Sequence, residues 1–365
     1  MRRMLAIVVV ICLLAGCESD ERILEQMALV QTSAYDLLEN NKIRVLSSIP
    51  VIEPDSDVQR QLLTAENDSI KEARLIFSRE TDLTVVSGQM RNTLFGISIA
   101  KAGLARYIDT LLRDPSIALG VKVTVVNGGA GELLSKNYKS HLDTGRYIDH
   151  LLEKEASVNS IPKATLYEFS RDYNDDGVDP VAPMVKDAGE KATIDGIALF
   201  NKDRYVMRIP ARNGLIFALM KNNLKQGEIA LNMGEVEGRK LVVMFSSLLS
   251  KRKVKVHHLE GERFSADIHV NVRGSILEYT GQEDLTDTDQ RKKLEEDIAA
   301  HVTARAEKMI QDMQRNKVDS LGIGQYVRNS LSYKRWKATE WKDVYPRVKI
   351  NCRVKVKIKD YGKYI

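Results

Sequence analysis

Between residues 290 and 319 the apolar side chains Leu294, Ile298, Val302, Ala306, Met309 and Met313 recur every three or four positions, with charges between them. That period predicts one long amphipathic helix with a single buried stripe. The closing segment "VKINCRVKVKI" has period two instead. Val348, Ile350, Cys352, Val354, Val356 and Ile358 point one way and Lys349, Arg353, Lys355 and Lys357 the other, the mark of a strand buried on one face. Cys352, on the apolar side, reads as a small buried hydrophobe. Alternating runs at "KLVVMF", "KVKVHH" and "DIHVNVRGSI" predict further strands, and "KATIDGIALFNKDRYVMRI" a hairpin turning at Asn201-Lys202-Asp203.

The first half also mixes the two periods. "NKIRVLSSIPVI" and "VKVTVV" predict strands, and a turn "NGGAG" leads into a helical stretch, "ELLSKNYKSHL". "RNTLFGISIAKAGLARYIDTLLRDP" predicts a single amphipathic helix built on Phe95, Ile99, Ala102, Ala105, Ile108 and Leu112 and stopped by Pro115. From Asn174 to Lys191 the chain is rich in Asp, Gly and Pro, which predicts a domain boundary. The expected class is α+β or mixed α/β, in two to three domains. They cover residues 17–190 and 191–365, the second open to subdivision near 250.

The amino terminus follows neither period. Arg2 and Arg3 precede Met4–Leu14, which carry no polar side chain. Eleven helical residues reach about 16 Å, short of a hydrocarbon core of roughly 30 Å, so this segment is a signal and not a span. Leu14-Ala15-Gly16-Cys17 fits a bacterial lipobox, which makes residues 1–16 a signal peptide and Cys17 a lipid attachment point. Of three cysteines, Cys12 leaves with the signal and Cys17 is capped, so Cys352 has no disulfide partner. A lipid-tethered ectodomain is expected.

Candidate chemistry is sparse. "DYNDDG" starts like a calcium loop, but the twelfth position, where a bidentate Glu belongs, is Pro183. After Gly129 and Gly131 the third glycine of a dinucleotide cradle is replaced by Leu134, so close helix–strand packing is the better reading. His257, His258 and His269 lie on adjacent predicted strands, yet no cysteine or H-E-x-x-H set joins them. No catalytic group, metal or cofactor is nominated. Lys+Arg 55 against Asp+Glu 50 is too small an excess to imply nucleic acid. The excess is local: Tyr333–Ile365 hold 11 Lys/Arg and three Asp/Glu. Lysines on a last strand can either protect an exposed edge or lie against anionic headgroups. Both readings stand at this point. Trp336 and Trp341, just upstream, are expected to pack, and with Lys349, Arg353, Lys355 and Lys357 they mark a candidate interface.

These landmarks form an ordered set: the lipobox, "SGQMRNTLFGISIAKAGLARYIDTLLRDPSI", "VKVTVVNGGAGELL", "IDGIALFNKDRYV", "KVDSLGIGQYVRN" and "YKRWKATEWKDVYPRVKINCRVKVKI". Together they resemble the C-subunit lipoproteins of spore germinant receptors, the Ger(x)C family. The resemblance covers essentially the whole mature chain. It implies mixed α/β domains, no catalytic activity, and a position on the outer face of the inner spore membrane. It also implies work beside membrane-embedded A- and B-type subunits. Two rivals fit a lipobox as well: a substrate-binding lipoprotein of a transporter, and a tethered cell-wall hydrolase.

Overall fold

The computed structural model describes residues 26–51, 60–139, 141, 143–236, 238–259 and 263–362; the signal segment and Cys17 lie outside them. The first half contains β1 (Met27–Leu29), β2 (Thr32–Leu37), β3 (Ile43–Pro50), β4 (Arg60–Asn67), α1 (Ile70–Glu80), β5 (Thr84–Val86) and β6 (Asn92–Gly96). There follow α2 (Ile97–Ala102), α3 (Ala105–Leu112), β7 (Lys122–Val126), α4 (Ala130–Ser135), α5 (Thr144–Ser157) and α6 (Leu166–Asn174). With β8 (Val181–Asp187), β9 (Ala192–Asn201) and β10 (Arg204–Pro210), a mixed sheet runs β10-β9-β8-β7-β6-β2-β3-β4. Its central strands β6 and β7 are buried on both faces, as near-continuous apolar runs require. Phe77, Ile99, Ile108 and Phe169 cover one face from α1, α2, α3 and α6. Leu133, Leu134, Ile148 and Leu152 cover the other from α4 and α5.

Two expected helices differ here for identifiable reasons, and one strand was not foreseen. The helix predicted over residues 91–115 is a strand followed by two short helices. A Cβ on Gly96 would meet Asp36 Oδ1 at 1.9 Å, and Gly103 at φ +122 breaks the second half of the pattern. The helix after "NGGAG" stops at Ser135. Its start is filled by the chain itself, because Asp36 accepts from the N–H groups of Ala130 (2.8 Å) and Gly131 (2.7 Å). A phosphate would have to displace that carboxylate. Finally, the Asp/Gly/Pro-rich stretch contains β8, whose pairing with β7 is limited to Met184 and Val185, so the missing N–H of Pro183 costs no ladder bond there.

The second half contains α7 (Gly214–Lys221), β11 (Ile229–Val236), β12 (Arg239–His258), β13 (Phe264–Tyr279) and α8 (Thr288–Arg315). It ends with α9 (Ile323–Ser330), α10 (Tyr333–Lys337), α11 (Trp341–Val344) and β14 (Lys349–Asp360). These strands form a sheet in the order β11-β12-β13-β14, with β14 parallel to β13 at an edge partly capped by α8, where Thr303 Oγ1 and Glu295 Oε1 accept from Val354 N (3.3 Å) and Ile358 N (2.9 Å). "KLVVMF" and "KVKVHH" prove to be one strand of 20 residues, with a register shift near Ser247 at φ 52. The predicted stripe of α8 is buried from Leu294 to Met313 and packs on Cys352, Val356 and Ile358. A sequence boundary at 190 falls between β8 and β9, which are hydrogen-bonded neighbours, and residue 250 lies inside β12.

The halves are joined by a polar clamp. Asp179 accepts from Asp319 N (2.8 Å), Lys202 N (3.1 Å) and, on both oxygens, Lys342 Nζ (2.5 Å). Asp319 accepts from Ile323 N (2.9 Å), Gly324 N (2.6 Å) and Trp341 Nε1 (3.0 Å). Beside them Arg328 grips Asp175 through both terminal nitrogens, at 2.8 and 3.2 Å. Gly177 lies against the backbone of Gly324 and Gln325, where a Cβ would come within 2.7 Å.

Burial pushes the Asp319 carboxyl up to about 6; the N–H groups of Gly324 and Ile323 oppose that shift, the charge of Asp179 adds to it, and the Trp341 indole opposes it. A carboxyl raised on folding holds its proton more tightly when folded. Its contribution is therefore full below the ordinary value of 3.8 and is lost as pH rises through about 6. The melting-temperature advantage of the natural chain over Asp319→Asn should thus shrink between about pH 4 and pH 7. A constant or widening advantage across that window would contradict this placement of the carboxyl.

Candidate interaction face

The register of β12, β13 and β14 fixes what the outer side of their sheet presents. Cross-strand rows read Leu249–Arg273–Lys357, Lys251–Asn271–Lys355, Lys253–His269–Arg353, Lys255–Asp267–Asn351 and His257–Ser265–Lys349. The alternate residues face α8 and the core, so the strand pleat sends these charges outward. The eight lysines and arginines in these rows are all exposed. One carboxylate faces them, Asp267, and it is occupied by Asn351 Nδ2 (2.9 Å) and His257 Nε2 (3.1 Å). The Asn351 hydrogen bond, foremost, holds Asp267 below the usual carboxylate range.

Lys357 reaches round the edge to Glu295 of α8, at 3.2 Å. Among the described residues the other seven cations of the face make no ion pair. Like charges on neighbouring strands disfavour the fold, so the array costs stability unless an anionic surface meets it. At the Lys357 end the twisted sheet forms an open trough of about 760 Å³, lined by Lys225, Leu249, Lys251, Arg273, Lys355 and Lys359 among others.

Edge protection alone does not account for this arrangement. Edge protection accounts for lysines on β14 but not for Lys251, Lys253 and Lys255, which lie on an inner strand, nor for Arg273 on β13. The structure thus extends Lys349, Arg353, Lys355 and Lys357 into a face. The added cations were legible in "KRKVKVHH", where Lys and Val alternate as they do in "RVKVKI".

Trp336 and Trp341 do not belong to this face. Each is 5% exposed, and Trp341 contacts both Trp336 (ring centroids 5.9 Å apart) and Tyr345 (5.8 Å). They are packing residues within the clamp. Cys352 is also buried, and burial raises its thiol to about 12, so it is inert. His269 lies opposite Lys253 while His258 bonds Ser330 Oγ (3.0 Å), so the three histidines do not converge. Among the described residues no group of three or more His, Cys, Asp or Glu side chains is placed to hold a metal.

A mixed α/β body of two large sheets, one of them carrying a basic outer side, defines the class. Comparison with known proteins then gives the family. Residues 20–187 match "Spore germination protein N-terminal domain", and residues 195–362 match "Spore germination B3/ GerAC like, C-terminal". The chain belongs to this family, the C-subunits of spore germinant receptors. It is 23% identical over 362 residues to "Spore germination protein GerQC" of Bacillus cereus, covering 99% of both chains. It is 22% identical over 371 residues to "Putative spore germination protein YfkR" of Bacillus subtilis (strain 168), covering 96% of this chain and 94% of that one. The crystal structure of the GerBC protein shares the fold, with TM-score 0.55 and 13% identity over 90% of this chain and 96% of that one.

Opposite responses are expected from the two aromatic and basic sets. Trp341→Ala removes a buried ring and a donor to Asp319, and should cost about 3–5 kcal/mol. Lys251→Glu with Lys355→Glu should leave the melting temperature unchanged or raise it, since repulsion is relieved. Thermal unfolding of both variants checks this; a large loss in the lysine pair would mean that these side chains are structural.

Proposed function

We propose that this chain is a non-catalytic, lipid-anchored contact subunit of a spore germinant receptor. It is held by Cys17 on the outer face of the inner spore membrane, beside A- and B-type membrane-embedded subunits. The observation that carries the contact reading is the basic sheet face, in which eight exposed cations meet a single carboxylate. Anionic headgroups are its natural counter-surface, at about 1 kcal/mol for each Lys or Arg within a Debye length of roughly 8 Å. No helix among the described residues is long and apolar enough to cross a membrane, and the lipobox supplies attachment by other means.

The face would also orient the tethered body. A diacylglyceryl group alone leaves the protein free to turn, and a charged side selects one pose. Membership in the family supports the spore location and the receptor partners. The transporter alternative requires two doubly wound lobes around a ligand cleft. Here the second half is a single four-stranded sheet with helices packed on one side, which does not favour that reading.

Two measurements test the proposal. Cys17→Ala should prevent lipidation, leaving the protein extractable from spore membranes by high salt. In the mature chain from Glu18 onward, produced without lipid, Lys251→Glu, Lys253→Glu and Lys355→Glu together should weaken binding to anionic vesicles a hundredfold or more. The same triple variant should slow germination and reduce recovery of the other receptor subunits. Unchanged vesicle binding and unchanged germination in a folded triple variant would sink the contact reading.

A further inference from the structure

Besides the two-stranded pair β1-β5 there are two larger sheets, and each ends in an open strand: β10 closes one side of the eight-stranded sheet, and β11 one side of the four-stranded one. No described backbone group outside β9 bonds to β10, and none outside β12 bonds to β11. Both open edges line a single cleft of about 620 Å³. Met207, Ile209 and Pro210 come from β10, Ala230 and Asn232 from β11, and α8 supplies the remaining wall with His301, Arg305 and Lys308. Pro210 has no N–H to offer, and β11 is interrupted by a bulge between Asn232 and Gly234, so the open stretch is a few residues long.

The wall is positively charged, and among the described residues Arg208 is the one lining cation held in an ion pair, with Asp195. Arg305 donates to Arg212 O (2.9 Å) and to the side-chain oxygen of Asn213, both neutral acceptors. Among the described residues Arg212 and Lys308 make no ion pair, while Asp312, the one carboxylate lining the cleft, is bound to Arg315. Burial, and then the neighbouring Arg212, lower the Arg305 guanidinium; burial and Arg305 lower His301. Like charges held together without a counter-ion mark a place prepared for an anionic group.

We propose that this cleft receives an extended acidic segment of a partner protein, which adds as a strand to the open edges of β10 and β11. Unpaired N–H and C=O groups on alternate residues of each edge would bond the incoming backbone. Side chains of the added strand would alternate in direction. Every second one would face Arg305, Lys308 and His301, where a carboxylate relieves the repulsion. Binding there would couple the two sheets through a shared strand, a contact distinct from the basic outer face.

The test uses the full lipidated chain in detergent and the probe acetyl-Glu-Val-Glu-Thr-Glu-Val-Glu-amide. Amide hydrogen exchange should slow at both Met207–Ile209 and Ile229–Asn232 when the probe binds. An analogue N-methylated at alternate residues, with the same charge but fewer backbone donors, should lose this protection. Lys308→Glu, at an exposed position, and Arg305→Glu should each weaken binding at least tenfold. No protection at either edge would overturn the proposal. Equal binding of the methylated analogue, or full competition by inorganic tripolyphosphate, would overturn it too, by showing a site for small anions only.

Discussion

The structure depends on two carboxylates, Asp179 and Asp319, buried together where the halves meet. A buried charge is tolerated only when its oxygens are satisfied, and removing one partner of such a pair commonly costs several kcal/mol. Here the donors come from three places besides Asp319 N itself: Lys202 in the turn between β9 and β10, the start of α9, and Trp341 with Lys342 on α11. None of these segments can move away alone without stranding a charge. The joint is therefore close to all-or-none. It ties the β9–β10 turn, the end of α8 and the short helices before β14 into one body.

That constraint links packing to function. The apolar core already runs across the join, since Val181, Ile197 and Leu199 of the larger sheet cluster with Phe217, Phe245 and Ile298. Hydrophobic burial is non-directional and would permit sliding. The clamp supplies direction, because its hydrogen bonds have defined geometry and its glycines allow close approach only in register. A fixed relation between the halves matters for the proposed membrane contact. It means that the basic face has one orientation relative to the amino-terminal half.

Much of this architecture can be read from the chain. The stripe of α8 and the alternation of β14 survive because amphipathic periods report burial on one side. The central strand Asn92–Gly96 was hidden because it is buried on both faces, so it carries no alternation, and its apolar residues ran into those of α2 and α3 at helical spacing. β8 was hidden by Pro183. The basic face was half legible: "RVKVKI" gave β14, but only the register shows that Lys251, Lys253 and Lys255 share its side. The clamp could not be foreseen. Asp179 and Asp319 are 140 positions apart, and an Asp-rich turn looks the same in sequence whether it faces water or a second half of the protein.

The central claim is that the halves form one rigid body which holds the basic face in a fixed orientation. The most direct test is a pulsed dipolar distance measurement between spin labels placed at Glu72 on α1 and Lys253 on β12, both exposed. Native Cys352 is buried and should remain unlabelled. The account predicts a single narrow distance distribution in the natural background, and a broad one once Asp179→Ala removes the clamp. A broad or multiple distribution in the natural background would contradict it.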